Sequence, residues 1–204
     1  TKSYYSLLKN IHEQNLNCNL SIKPSHIGMD ISTDSMDENI SILIEEAKRC
    51  NNFIRIDMED SSLTDATIDL YKRCKEQYDQ IGPVFQAYLY RSEKDLQDLK
   101  FINKFNIRLC KGIYRESPDV SIQNHQDVSD NFLKLLRFAF ENNIYVGIAT
   151  HDLLIIEKSY KMIEEMKISS DRFEFQVLYG VPMSRWLEKH LKHGYKVRVY
   201  VPFG

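Results

Sequence analysis

The stretch Arg108-Leu109-Cys110-Lys111-Gly112-Ile113-Tyr114 is where this sequence could most readily do chemistry. A short apolar strand, Asn106-Ile107-Arg108-Leu109, runs on into a second cation, a glycine and a tyrosine. A strand can carry a cation inward where an anionic or polar ligand meets it. A second cation three residues on, beside a glycine that lets backbone approach closely, points to phosphate or a charged cofactor. Taken alone, the same residues also suit an arginine and a lysine at a strand end, solvated or ion-paired with Asp57 or Glu59. The rest of the chain decides between these readings.

The 204 residues give ample length for a core, and 43% hydrophobic with 27% charged residues is the balance of a soluble globular protein. A formal charge of −2 disfavours nucleic acid or an acidic membrane surface as the main partner. No apolar run reaches the roughly 18 residues needed to span a bilayer. Cys18, Cys50, Cys74 and Cys110 are scattered, without CxxC pairs or histidines at ligand spacing, so a reduced cytosolic setting is expected and a metal is not. The absence of an initiator methionine and the ending at Val201-Pro202-Phe203-Gly204 lead us to expect a piece of a longer protein.

Strand and helix patterns alternate along the chain. Tyr4, Leu7, Leu8 and Ile11 open on a helix, followed by a strand at Asn19–Lys23. A capping box at Ser35–Glu38 precedes the helical stripe Ile40, Leu43, Ile44 and Ala47. Strands follow at Phe53–Asp57, Val84–Tyr90, Asn106–Leu109, Ile144–Ile148, Phe173–Leu178 and Val197–Val201. Helices carrying Ala66/Leu70/Cys74, Leu96/Leu99, Phe132/Leu135/Leu136/Ala139/Phe140, Leu153/Ile156/Tyr160/Ile163 and Met183/Trp186/Leu187/His190/Leu191 separate them, with Ser92 to Asp95 capping the second of these. Arg115 to Asp130 has no periodicity and reads as a loop. Such alternation implies a parallel sheet with right-handed crossovers.

The faces of the strands separate an open sheet from a barrel. One side is apolar (Ile54/Ile56, Ile107/Leu109, Val146/Ile148, Phe173/Phe175/Val177) and the other polar (Ser21/Lys23, Arg55/Asp57, Gln86/Tyr88, Arg108, Glu174/Gln176, Arg198/Tyr200). Strands covered by helices on both sides would be apolar on both. The expected fold is therefore α/β, a (β/α)8 TIM-type barrel with its site at the carboxyl ends of the strands. About seven strands are visible, so a single partial domain over residues 1–204, lacking the first strand and the last helix, is expected. Glu174 and Gln176 are read as structural partners of Arg198 or Arg55. Trp186 is read as core, and His12, His26, His125, His190 and His193 as surface.

The strand ends Ile22-Lys23-Pro24-Ser25, Ile56-Asp57-Met58-Glu59, Phe85-Gln86-Ala87-Tyr88, Arg108 to Tyr114, Ala149-Thr150-His151, Phe175-Gln176-Val177-Leu178 and Arg198 to Gly204 together resemble the catalytic barrel of the proline dehydrogenase (proline oxidase) family, in its monofunctional bacterial form. The resemblance implies a cytoplasmic flavoenzyme, transiently at the inner face of the membrane. It would oxidise L-proline to 1-pyrroline-5-carboxylate with FAD and pass electrons to quinone. It further implies that Arg108 lies at the flavin N5 edge and that Lys111, with the backbone of Gly112 and Ile113, holds the pyrophosphate together with Thr150 and His151. Gln86 would meet the pyrimidine edge and the Met58 backbone the ring. Lys23 would pair with the proline carboxylate, Tyr114, Leu178 and Tyr200 would enclose the pyrrolidine ring, and Asp57 is the family's strand-end acid, acting on the substrate or by placing Lys23 and Arg108. The family's paired arginines and glutamate after the last strand are not in this chain, and Lys23 alone cannot reproduce a bidentate clamp. Two other readings of the same residues stand beside this one: a Schiff-base lyase using Lys23, and a barrel kept only for binding or assembly.

Overall fold

The computed structural model describes residues 1–202, with the side chain of residue 184 excepted; Phe203 and Gly204, the end of the last strand-end motif, lie outside the described residues. The chain divides after Val84 into two compact units.

In the first unit α1 (Lys2–Glu13) precedes β1 (Leu20–Ile22), α2 (Thr33–Cys50), β2 (Ile54–Ile56), α3 (Thr64–Gln77) and the start of β3 (Ile81–Gln86). The strands are parallel, with Leu20, Ile54 and Ile81 in register and Ser21, Arg55 and Gly82 on the opposite face. Tyr4, Leu8 and Ile11 are the buried stripe of α1, as their spacing predicts. The start of α2 differs from expectation. Ser32, not Ser35, is the N-cap, its hydroxyl accepting from the Ser35 N–H at 3.1 Å. The helix thus starts three residues earlier than the Ser35–Glu38 pattern suggests, after a turn of 3-10 helix at Ser25–Ile27.

In the second unit the order is α4 (Ser92–Leu99), β4 (Asn106–Cys110), α5 (His125–Glu141), β5 (Tyr145–Ala149), α6 (Leu153–Glu165), β6 (Phe173–Leu178), α7 (Ser184–Lys192) and β7 (Val197–Tyr200). β4 to β7 pair in sequence order, all parallel. Leu109, Ile148, Phe175 and Val197 fall on one face, while Arg108, Gly147 and Glu174, then Ala149, Gln176 and Arg198, fall on the other. The alternation is cleanest in β4, where Ile107 and Leu109 are fully buried and Asn106, Arg108 and Cys110 half-buried.

β3 stops at Gln86, four residues before the sequence suggests. Ala87 and Tyr88 continue by donating N–H bonds to Cys110 and Lys111 at 2.8 Å each, and Leu89 bridges Ser121. Part of the polar stretch after Tyr114 is thereby pinned to the strand end. The remainder is helix: α5 begins at His125, where Asn124 caps it with bonds from the Gln126 and Asp127 N–H groups. Ser92 does not cap α4; its hydroxyl donates to the Gln86 carbonyl at 2.6 Å and fixes the exit from β3.

Candidate active site

The first unit gathers polar groups at the carboxyl ends of β1 and β2. Asp57, Met58 and Glu59 are all buried, and Lys23 is half-buried. The Asp57 N–H donates to the Ile22 carbonyl at 2.8 Å, extending the ladder past the strand end so that the acid is held by backbone. Glu59 accepts from both the N–H (2.8 Å) and the hydroxyl (2.7 Å) of Ser25, which ties the two strand ends together. Among the described residues no three His, Cys, Asp or Glu are placed to hold a metal ion.

Tyr4, which the sequence marks only as part of the helical pattern of α1, reaches this cluster from that helix. Its hydroxyl accepts from the Lys23 N–H at 3.2 Å and hydrogen-bonds His26 Nδ1 at 3.1 Å. Burial pushes its phenol up, opposed by the Lys23 N–H and reinforced by the negative charge of Asp57 and Glu59, so it stays a neutral hydroxyl. Arg55, deeper in the strand, donates to the Pro83 carbonyl at 3.0 Å and lies over the Phe53 ring, a structural role.

The second unit holds most of the expected site. Arg108 donates from Nε to Gln176 Oε1 at 2.7 Å, and its guanidinium carbon stands 5.0 Å from the centre of the Tyr200 ring. Gln176 in turn donates to Glu174 at 2.7 Å, and Glu174 receives Arg198 through two bonds of 2.7 and 3.0 Å and the Tyr145 hydroxyl at 3.2 Å. Glu174 therefore pairs with Arg198 as expected, and within this unit Gln176 reaches Arg108 rather than Arg198. Gln86, at the end of β3, is buried at 3% exposure.

Lys111 has its ion-pair partner within the second unit. Its ammonium meets Asp152 at 2.5 Å, both side chains 29% exposed. Asp152 is also the N-cap of α6, accepting from the Leu154 and Ile155 N–H groups at 2.9 and 3.3 Å. Burial alone would raise its carboxyl, but the Lys111 ammonium and those N–H groups outweigh it and hold the group below its usual range. An aspartate directly before an apolar helical stripe was the available signal for this residue.

Gly112 has φ of 110°, in the left-handed region, and a Cβ there would lie 2.1 Å from the Tyr88 ring. The close approach that this glycine permits is thus to Tyr88. Ile113 is 88% exposed and Tyr114 half-buried. Thr150 is buried and its hydroxyl accepts from the Asp152 N–H at 3.1 Å. His151 Nε2 accepts from the Leu178 N–H at 2.9 Å, which places its ring proton on Nδ1 and joins the ends of β5 and β6. Leu178 is 40% exposed and Tyr200 half-buried. Two cations, a buried amide and a helix start carrying a hydroxyl and an imidazole all stand at strand carboxyl ends in this unit. That donor set suits a ligand with phosphates and a hydrogen-bonding heteroaromatic edge.

His190 corrects the reading of it as a surface residue. It is fully buried, stacked 3.9 Å from Phe175 and hydrogen-bonded through Nδ1 to the Tyr160 hydroxyl at 2.7 Å. Trp186, read as core, is half-buried at the rim of the same aromatic cluster.

Comparison with known proteins agrees with the strand-end motifs. A family model described as Proline dehydrogenase matches residues 1–204. The chain is 38% identical over 204 residues to Proline dehydrogenase 2 of Bacillus subtilis strain 168, covering 100% of this chain and 67% of that protein. It is 37% identical over 195 residues to Proline dehydrogenase 1 of the same strain, covering 95% and 64%. The chain thus spans about two thirds of the length of these curated relatives. Among solved structures, proline utilization A from Bdellovibrio bacteriovorus, inactivated by N-propargylglycine, superposes with a TM-score of 0.86 at 22% identity, covering 98% of this chain and 26% of that one. That likeness establishes the fold, an α/β arrangement of parallel strands consistent with part of a TIM-type barrel. With the family model matched from end to end, this chain belongs to the proline dehydrogenase family.

Proposed function

We propose that the protein carrying this chain oxidises L-proline to 1-pyrroline-5-carboxylate with FAD, in the cytoplasm, and delivers the electrons to a quinone by transient contact with the membrane. Among the described residues no helix is long and apolar enough to cross a membrane, which is compatible with that contact being peripheral. The observation that carries the reading is the guanidinium of Arg108, held at a strand end by Gln176 on one side and the Tyr200 ring on the other.

The donor chemistry of the second unit fits FAD: Gln86 for the pyrimidine edge, Arg108 for the reactive edge, and Lys111, the backbone of Gly112 and Ile113, Thr150 and His151 for the pyrophosphate. When bound, FAD supplies the acceptor for the hydride leaving proline C5. Arg108 contributes a fixed positive charge where negative charge develops, and because it is already oriented no reorganisation is needed at the moment of reaction. Lys23 pairs with the substrate carboxylate. Tyr114, Leu178 and Tyr200 enclose the pyrrolidine ring and exclude water. The substrate nitrogen must be unprotonated for its lone pair to form the imine. Asp57 serves as the strand-end acid of the site and is assigned no proton abstraction.

An absorbance spectrum of the full-length protein tests this. A flavin band bleached by proline, with bleaching lost in Arg108→Ala, is expected. A colourless protein that takes up no FAD, or a substrate trapped on Lys23 by borohydride without flavin, would sink it.

A further inference from the structure

We propose that Gly147 and Gln176 are positioning residues for Arg108, with Gly147 providing the passage through which Gln176 reaches it. The proposal rests on the flavin reading of Arg108 given above.

Arg108 on β4, Gly147 on β5 and Glu174 on β6 are register partners, so their side chains rise from the same face of the sheet. Gln176 shares that face, in register with Ala149 and Arg198. For a β6 side chain to touch one on β4 it must cross β5, a span of two strand spacings or roughly 9–10 Å. Gln176 makes this crossing and accepts from Arg108 Nε at 2.7 Å. Its path runs directly over Gly147: a Cβ there would lie 2.4 Å from Gln176 Nε2 and 2.9 Å from Cδ.

Gly147 is not among the glycines with positive φ, so its backbone does not call for glycine. A glycine inside a strand weakens it. The crossing amide is what accounts for the missing side chain. The amide cannot be turned round without loss, because its nitrogen donates to Glu174, which Arg198 holds with two bonds. Its oxygen therefore faces Arg108. With Tyr200 against the guanidinium, the Arg108 charge is held from two directions. Nε–H is one of five donors on the guanidinium, so this anchoring acts on the stem side of the group.

The test uses Gly147→Ala, Gln176→Ala and the double variant in the full-length FAD-loaded protein, with Arg108→Ala as reference. Sulfite titration, followed by loss of the flavin band, reads the charge near flavin N5 independently of turnover. Arg108→Ala is expected to weaken sulfite binding, and each single variant to weaken it about tenfold, the size of losing one hydrogen bond to a charged group. The double variant should be no worse than the worse single, since both remove the same contact. In the flavin-free protein, the Arg108 Nε–H NMR signal should shift in Gln176→Ala. Unchanged sulfite affinity in Arg108→Ala would refute the flavin reading itself. A loss in Arg108→Ala with none in Gln176→Ala, or losses that multiply in the double variant, would overturn the positioning role alone. Gln176→Ala creates no clash, so the proposal remains testable if Gly147→Ala does not fold.

Discussion

Asp152 does two jobs, and the structure allows them to be separated. Its carboxylate caps α6 through two backbone N–H groups at 2.9 and 3.3 Å and pairs with Lys111 at 2.5 Å. Asp152→Ala removes both interactions. Loss of an N-cap costs about 1 kcal/mol, within a range of roughly 0.5–2. An ion pair whose members are each 29% exposed adds about 0.5–1 kcal/mol after screening, so the alanine variant should lose about 2 kcal/mol. Asp152→Asn keeps an acceptor oxygen for the cap and loses only the charge, for a cost of about 0.5–1 kcal/mol. Urea denaturation of the full-length protein at neutral pH, with unchanged m-values, reads both numbers. Because the carboxyl is held below its usual range, this stabilisation is present above the ordinary value of 3.8 and is lost as pH falls through the lowered one. The gap between the wild type and Asp152→Asn should close at acid pH, where the carboxyl becomes neutral and keeps only its cap. An asparagine variant as damaging as alanine at neutral pH would refute the division of labour.

Three other outcomes follow from packing and charge. Burial, with His193 and Lys189 nearby, pushes His190 down to about 4 from 6.5, so the unfolded chain binds more protons between those values and stability falls as pH drops below 6.5; from pH 7 to pH 5 the loss should be about 2 kcal/mol by linkage, and His190→Phe should flatten that slope in pH-dependent denaturation. Gly112→Ala meets the Tyr88 ring and a backbone at φ of 110°, so it should cost about 1–3 kcal/mol, and calorimetry showing no loss would contradict the packing. Glu174→Ala removes two bonds from Arg198 and one from Gln176, so it should cost about 1–3 kcal/mol in chemical denaturation, whereas a neutral result would show the network to be dispensable.

What the sequence disclosed and what it hid follow from the range of each interaction. Alternation in β4 places Ile107 and Leu109 inside and Arg108 on the polar face because side-chain period along a strand is a local property. The strand-end residues were legible for the same reason: each is fixed by where its own strand stops. The ion pair of Lys111 with Asp152 was not legible, because the two lie 41 residues apart and only coordinates show that the N-cap of α6 reaches the lysine. Gly147 carried no signal, since its reason is a glutamine 29 residues away in sequence that crosses above it. His190 lay on the α7 stripe four residues after Trp186, and that spacing was the better guide to its burial than its polarity. Ser35 had the composition of a capping box, but Ser32, three residues upstream, offers its hydroxyl to the Ser35 N–H and is the cap instead.

A crystal structure of the full-length protein with FAD addresses the central claim most directly. The account predicts the isoalloxazine ring with its N5 edge at the Arg108 guanidinium, the Arg108–Gln176 bond intact, and the pyrimidine edge at Gln86. A flavin bound away from these side chains, or Arg108 turned from Gln176 toward another partner, would contradict it.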